Sequence, residues 1–168
     1  MNICAASLSD LPEILRLFDA ARAFMVQNGN PNQWKPGYPL PSTVENDIRQ
    51  GNFYLIKQGA HICGCFAFII GADDTYRHIE QGEWLSESTY GTIHRLASDG
   101  TARGIFQTAL EFCISKCCHI WADTHADNTV MQRLLIKHGF SYRGIIYVAD
   151  GTPRYAYELF PAQEGEVL

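Results

Sequence analysis

The segment Asp99-Gly100-Thr101-Ala102-Arg103-Gly104 stands between an apolar, β-branched stretch at 92–97 and a run in which Ile105, Ala109, Phe112 and Cys113 share one helical face. A strand that passes through a short glycine-containing turn into a helix presents unpaired backbone N–H groups beside the positive end of the helix dipole. Such a place binds phosphate. Arg103 at the helix entrance adds a fixed charge that could fork onto phosphate oxygens. Glycine before a helix is also common, so the segment is either an anion site or an ordinary turn. A second chemical group lies just upstream: His94 offers an imidazole, which titrates at about 6.5 when unperturbed and so accepts a proton near neutral pH.

Other reactive residue types point to less. Asp123, His125 and Asp127 alternate as metal ligands could, but residues two apart face one way only while a strand persists; we read a strand end and a helix cap, with no metal. The six cysteines form no CxxC pair. Cys63 and Cys65 alternate, Cys113 and Cys117 recur at helical spacing, and Cys4 lies in an apolar stretch, which is the pattern of reduced thiols packed as small hydrophobes. Cys118 fits no such place. A formal net charge of -5 argues against a nucleic-acid footprint, which needs a basic face. No apolar run approaches the roughly 20 residues of a membrane-spanning helix, so no membrane partner is expected. With 46% hydrophobic and 18% charged residues the chain reads as one globular domain over 1–168. Its start lacks a basic segment followed by an apolar stretch, and the expected location is cytoplasmic.

These groups must be positioned by elements that the pattern also predicts. A short strand at 2–6 precedes a helix opened by Asp10 and Glu13, with Leu11, Ile14, Leu15, Phe18 and Met25 on one face. Residues 28–41, crowded with Gly, Pro and Asn, form a loop carrying Trp34 and Tyr38. Ser42 or Thr43 caps a short helix that ends at Gly51. Strands at 53–56 and 62–70 pair as a hairpin. The polar stretch 71–88, with Glu83 and Trp84, carries no clear pattern. After the strand at 92–97 and the helix from Ile105, a strand at 119–124 leads to a helix opened by Asp127 or Asn128 and closed at Gly139-Phe140. A last hairpin joins 142–148 to 154–159 through Asp150-Gly151. The class is mixed α/β.

The order and register of His94 to Ser98, the turn to Gly104, and Asn128 through Gly139-Phe140 together resemble the GNAT acetyltransferase family, over most of the chain. The resemblance implies a mixed, mostly antiparallel central sheet of six or seven strands flanked by about four helices. It also implies acetyl-CoA as co-substrate. The pantetheine arm would lie on Leu96, Ala97 and Ser98, and the pyrophosphate on Thr101, Ala102, Arg103, Gly104, Ile105 and Phe106. Asn128 would reach the arm, or serve simply as a helix cap.

The implied reaction moves an acetyl group to a primary amine by direct attack. His94 would be the base that deprotonates the amine, or an ordinary strand residue; Glu83 is the reserve candidate. A backbone N–H near Leu96 or Ala97 would polarise the thioester carbonyl. Trp34, Tyr38, Glu83 and Trp84 are the candidate acceptor contacts, with loop anchoring as the alternative for the three aromatics. Two departures stand out. Phe106 replaces a small residue and should crowd the pyrophosphate. Leu135 replaces the Tyr that often protonates the departing thiolate, leaving Tyr142 or Tyr147 as substitutes, or water, since a thiol of pKa near 8.5 leaves readily. These departures support an alternative, a non-catalytic acyl-CoA-binding module acting as sensor or protein partner; a third reading is an α/β domain that binds no CoA. The acceptor, a small-molecule or peptide amine, is left open among amino acid, polyamine, aminoglycoside, peptide N-terminus and protein lysine. Exposed edge strands leave room for a homodimer.

Overall fold

Aromatic and β-branched residues that suit a pleated, half-buried surface form the centre of the protein. The structure, a computed structural model, describes residues 1–160. In chain order its elements are β1 (Asn2–Ala5), α1 (Leu11–Gln27), α2 (Pro41–Arg49), β2 (Phe53–Gln58), β3 (His61–Ile70), β4 (Gly91–Ser98), α3 (Ile105–Lys116), β5 (Ile120–Thr124), α4 (Thr129–Lys137), β6 (Ser141–Tyr147) and β7 (Pro153–Leu159). The strands make one seven-stranded sheet in the order β1-β2-β3-β4-β5-β7-β6. Every neighbouring pair is antiparallel except β4 and β5, which run parallel. This is the mixed, mostly antiparallel sheet with four helices that the sequence led us to expect.

Alternation along the strands divides the core between the two faces of the sheet. Phe53 and Leu55 of β2 pack with Ile14, Leu17 and Phe18 of α1 and Val44 of α2. Ile56 of β2 and Phe66 and Phe68 of β3 pack on the other face with Ile105, Ala109 and Leu110 of α3 and Leu135 of α4. Each fully buried side chain of this kind stabilises the fold by roughly 1.5–3 kcal/mol. A third cluster forms where residues 71–90 fold over the sheet: Tyr76 and Tyr90 meet Trp121 of β5, Ile146 of β6 and Ala156 of β7.

Some boundaries differ from the sequence reading. The first helix is preceded by a turn of 3-10 helix, Leu8–Asp10, and Asp10 closes back on Ser7, whose backbone N–H donates to its Oδ2 at 2.8 Å. Glu13 instead accepts from Arg16. The second helix begins at Pro41, where a proline loses nothing because the first N–H of a helix has no partner. The stretch 71–88 holds a short 3-10 turn at Asp74–Tyr76 and a single bridge between Glu80 and Ile145.

Two irregularities of β4 shape the site. Cys65 pairs with Ala97 and Ala67 with His94, so Phe66 alone faces both Arg95 and Leu96. This is a β-bulge, and Arg95 sits in it at φ 55°, the left-handed region that costs an ordinary residue roughly 1–2 kcal/mol. The pairing of β4 with β5 covers only Gly91 with Ile120 and Thr92 with Trp121. Beyond Thr92 the two strands part.

Candidate active site

The parting of β4 and β5 leaves a gap in the sheet, and a cavity opens on each side of it. One, of about 440 Å³, is lined by the end of β4, the following turn, the start of α3 and the inner face of α4. The other, of about 430 Å³, is lined by His94, Asp73, Asp123, Arg154 and the loop bearing Trp34 and Tyr38. Met25, Leu96, Phe106, Asn128 and Met131 line both, so the two meet at the gap. Strand groups alternate in direction, so backbone N–H and C=O groups of β4 past Thr92 face this gap with no strand to bond them.

The first cavity is built by glycine. At Gly104 the chain takes φ 79°, which lets the turn swing into α3 without strain. The first intrahelical bond runs from Thr108 N–H to the Gly104 carbonyl at 2.9 Å, so the N–H groups of Ile105, Phe106 and Gln107 stand ahead of the helical ladder at its positive end. Gly64 on β3 lets α3 come this close, for a Cβ there would lie 3.0 Å from Ile105 Cγ2 and 3.1 Å from the Ala97 carbonyl. Leu96, Ala97, Ser98, Ala102, Gly104, Ile105, Phe106 and Asn128 all line the cavity. Thr101 and Arg103 do not. The Thr101 hydroxyl is tied to Asp99 at 2.6 Å, closing the turn on itself, and Arg103 is exposed. A cationic group comes instead from Lys137 at the end of α4, with the His138 imidazole beside it. The Phe106 side chain is buried, with its ring 5.1 Å from that of His138 and 6.4 Å from that of Phe140, and it lines both cavities.

In the second cavity His94 Nε2 lies 3.0 Å from Asp73 Oδ2. Burial pushes the Asp73 carboxyl up, but the hydrogen bond and charge of His94 and the Thr75 backbone N–H outweigh it and hold the group at about 2. An ionised Asp73 accepts from Nε2–H, which fixes the tautomer and leaves Nδ1 as the basic ring atom. The ring is set edge-on to Tyr76, 5.9 Å between centroids. Tyr76 is fully buried and donates to Asp123 Oδ1 at 2.5 Å. Burial, then the Asp123 charge, push the Tyr76 hydroxyl far above its ordinary range, so it holds its proton. Trp34 packs edge-on to both Phe18 and Tyr38, at 5.5 and 6.1 Å, and forms a wall opposite the sheet. Gln33 beside it fastens this wall: its Oε1 accepts from Asn30 and Asn128, each at 2.8 Å, and from Thr124 at 3.3 Å.

Known structures share this fold. A GNAT-family acetyltransferase of Streptococcus agalactiae is 30% identical over 96% of both chains, with a TM-score of 0.85. This chain belongs to the GNAT acetyltransferase family. More distant solved structures share the GNAT fold: a GNAT-family acetyltransferase of Listeria monocytogenes (16% identity, 94% of each chain, TM-score 0.68) and the NatC complex bound to Gag peptide and CoA (16%, 96% of this chain and 100% of that one, 0.59). No protein-family model and no curated protein matches the sequence.

Within this GNAT chain the remaining expected site residues fall elsewhere. Tyr142 is exposed on β6, its ring edge-on to Tyr155 and Tyr157 at 5.4 and 5.7 Å, and lines neither cavity. Tyr147 is likewise outside and bonds Glu80 at 2.9 Å. Glu83 is exposed and lines neither cavity, and Trp84 stacks on Trp121 at 3.8 Å while its indole N–H donates to the Tyr76 carbonyl, so Trp84 anchors residues 71–90. Leu135, fully buried, lines the second cavity and has no proton to give. Asn128 caps α4 through Met131 N–H at 3.0 Å and reaches the gap as well, so its two readings are compatible. Among the described residues no group of three metal-type ligands occurs; Asp123 lies in β5, and His125 and Asp127 lie in the turn that leads to α4. Asp73, Gln33 and Arg154 carried no local signal in the sequence.

Proposed function

We propose that the chain transfers an acetyl group from acetyl-CoA to a primary amine by direct attack, with the cofactor in the first cavity and the amine in the second. The observation that carries this reading is the His94–Asp73 pair beside the gap where the two cavities meet. The first cavity suits CoA: N–H groups at the start of α3 match a pyrophosphate, and the buried Asn30 Oδ1, which has no hydrogen-bond partner among the described residues, is an acceptor for an amide N–H of the pantetheine arm. CoA bound to the NatC complex, a protein of the same fold, agrees with this. The co-substrate supplies a thioester, whose C–S bond breaks as the C–N bond forms.

His94 Nδ1 takes the proton that the amine loses, and Asp73 stabilises the imidazolium. N–H groups of β4 that face the gap near Leu96 and Ala97 polarise the carbonyl oxygen. Leu135 has no proton to give, so the departing sulfur takes its proton from water. Asn128 and Gln33 close the junction from the α4 side.

Calorimetry with acetyl-CoA together with release of free thiol across a panel of amines tests the reading. Binding with turnover is expected, and His94→Gln should lower kcat about 100-fold or more with acetyl-CoA affinity nearly unchanged. Binding without turnover for any amine would make the chain a binding module; unchanged turnover in the variant would remove His94 from the chemistry.

A further inference from the structure

Within the acyl-transfer reading, on which this rests, we propose that the acceptor is a small zwitterion of the amino-acid type, whose carboxylate is held by Arg154 while its amine faces His94. The charges lining the second cavity are matched in number, Asp73, Asp123 and Asp150 against Lys35, Arg95 and Arg154. Most are spent on one another or on near neighbours. Asp73 bonds His94, Lys35 bonds Asp150 at 2.7 Å, and Arg95 pairs at 2.5 Å with Asp47 behind the cavity wall. Asp123 accepts the Tyr76 hydroxyl.

Arg154 is different. It is 8% exposed, and its ion pair with Asp123, Nε to Oδ2 at 3.9 Å, is too long to be a hydrogen bond. Among the described residues its Nη1 and Nη2 donate one bond each, to the carbonyls of Pro153 at 3.0 Å and Gln33 at 3.2 Å. A guanidinium has five N–H groups, so donors remain on the cavity side of a nearly buried cation. The partner that uses such a planar fork best is a carboxylate. His94 is on β4 and Arg154 on β7, with β5 between them in the sheet, so an acceptor that satisfies both must carry its two groups in one molecule. A cavity of balanced charge suits a zwitterion better than a polyamine, which needs net negative charge, or a polyanion, which needs the reverse. At about 430 Å³ it has the size of small-molecule sites.

The test compares kcat/KM for matched acceptors, α- and ω-amino acids against their carboxamides and the amines lacking the carboxyl. In the unmodified protein the carboxylate form is expected to lead by about 10- to 100-fold, the worth of hydrogen bonds to a charged group. In Arg154→Gln, checked for folding by circular dichroism and melting temperature, that ratio should fall to near one; Arg154→Lys should keep part of it. The matched ratio in the unmodified protein stands even where a variant fails to fold. Turnover of amines with no carboxylate preference, or a preference for polyamines or a lysine-bearing peptide, overturns this inference alone. Failure to bind acetyl-CoA and to turn over any amine overturns the acyl-transfer reading and the acceptor assignment with it.

Discussion

In the proposed reaction His94 acts as base with its Nε2 held 3.0 Å from Asp73, and Asp73 is itself held by the Thr75 backbone N–H at 2.9 Å. The carboxylate does two things: it sets which ring nitrogen is free, and it stabilises the charge that forms when the amine gives up its proton. Asparagine keeps the shape but loses the charge and can offer an N–H to the wrong nitrogen. Asp73→Asn should therefore lower kcat about 10- to 100-fold while the dissociation constant of acetyl-CoA stays within a factor of two to three. Equal losses in kcat and in acetyl-CoA affinity would mean that the residue serves the fold of residues 71–90 rather than the imidazole. His94 was visible in the sequence as a candidate proton acceptor at a strand position that the family resemblance implies. Asp73 was not, because it lies 21 residues away in a stretch with no periodicity.

At the scale of elements the decisive feature is the bulge in β4. Arg95 holds a conformation that favours glycine, and what keeps it there is the pair with Asp47 of α2, with both side chains almost buried. Removing one partner of a buried pair strands the other charge, at a cost of about 3–5 kcal/mol. Asp47→Ala should lower the free energy of unfolding in urea by about 3 kcal/mol. The double change Asp47→Ala with Arg95→Gly should recover most of that loss, since glycine takes φ 55° freely and leaves no charge behind. If the double variant were no more stable than the single one, the pair would not be what stabilises the bulge. The sequence allowed the strand to be placed but not its bulge, because the residue that supports it sits 48 positions earlier on a separate helix.

Over the whole molecule, two carboxylates tie distant segments together. Asp99 meets Arg16 of α1 at 3.1 Å and His61 of β3 at 2.8 Å, and Asp73 meets β4 through His94. Burial pushes both carboxyls up, and their hydrogen bonds outweigh it, Thr101, Arg16 and His61 for Asp99, so both are held at about 2 against an ordinary 3.8. A carboxyl depressed in the folded state binds protons less readily than in the unfolded chain, so its contribution is present above pH about 4 and is lost as pH falls through about 2. Urea unfolding at a series of pH values should show stability falling over that window, and Asp99→Asn should flatten part of the fall. Stability that does not change between pH 5 and 2 would contradict these assignments.

The sequence by itself determined the order of strands and helices, the hairpins at both flanks, the glycine turn into α3 and the closing of α4 at Gly139, whose φ of 89° and whose neighbour Phe140, bonded back to Leu135, follow from local rules. These are legible because hydrophobic period, caps and turns are set by residues a few positions apart. Only the tertiary structure decided that β4 and β5 part after Thr92, that residues 71–90 fold back to bring Asp73 to His94, that Arg103 turns outward while Arg154 turns in, and that Tyr142 and Trp84 pack against other aromatic rings while Glu83 is exposed. Each of those outcomes rests on contacts between segments far apart in the chain, such as the 121 positions between Arg154 and Gln33. Burial and pairing across such distances are won in competition among many candidate partners, which no single stretch of sequence encodes.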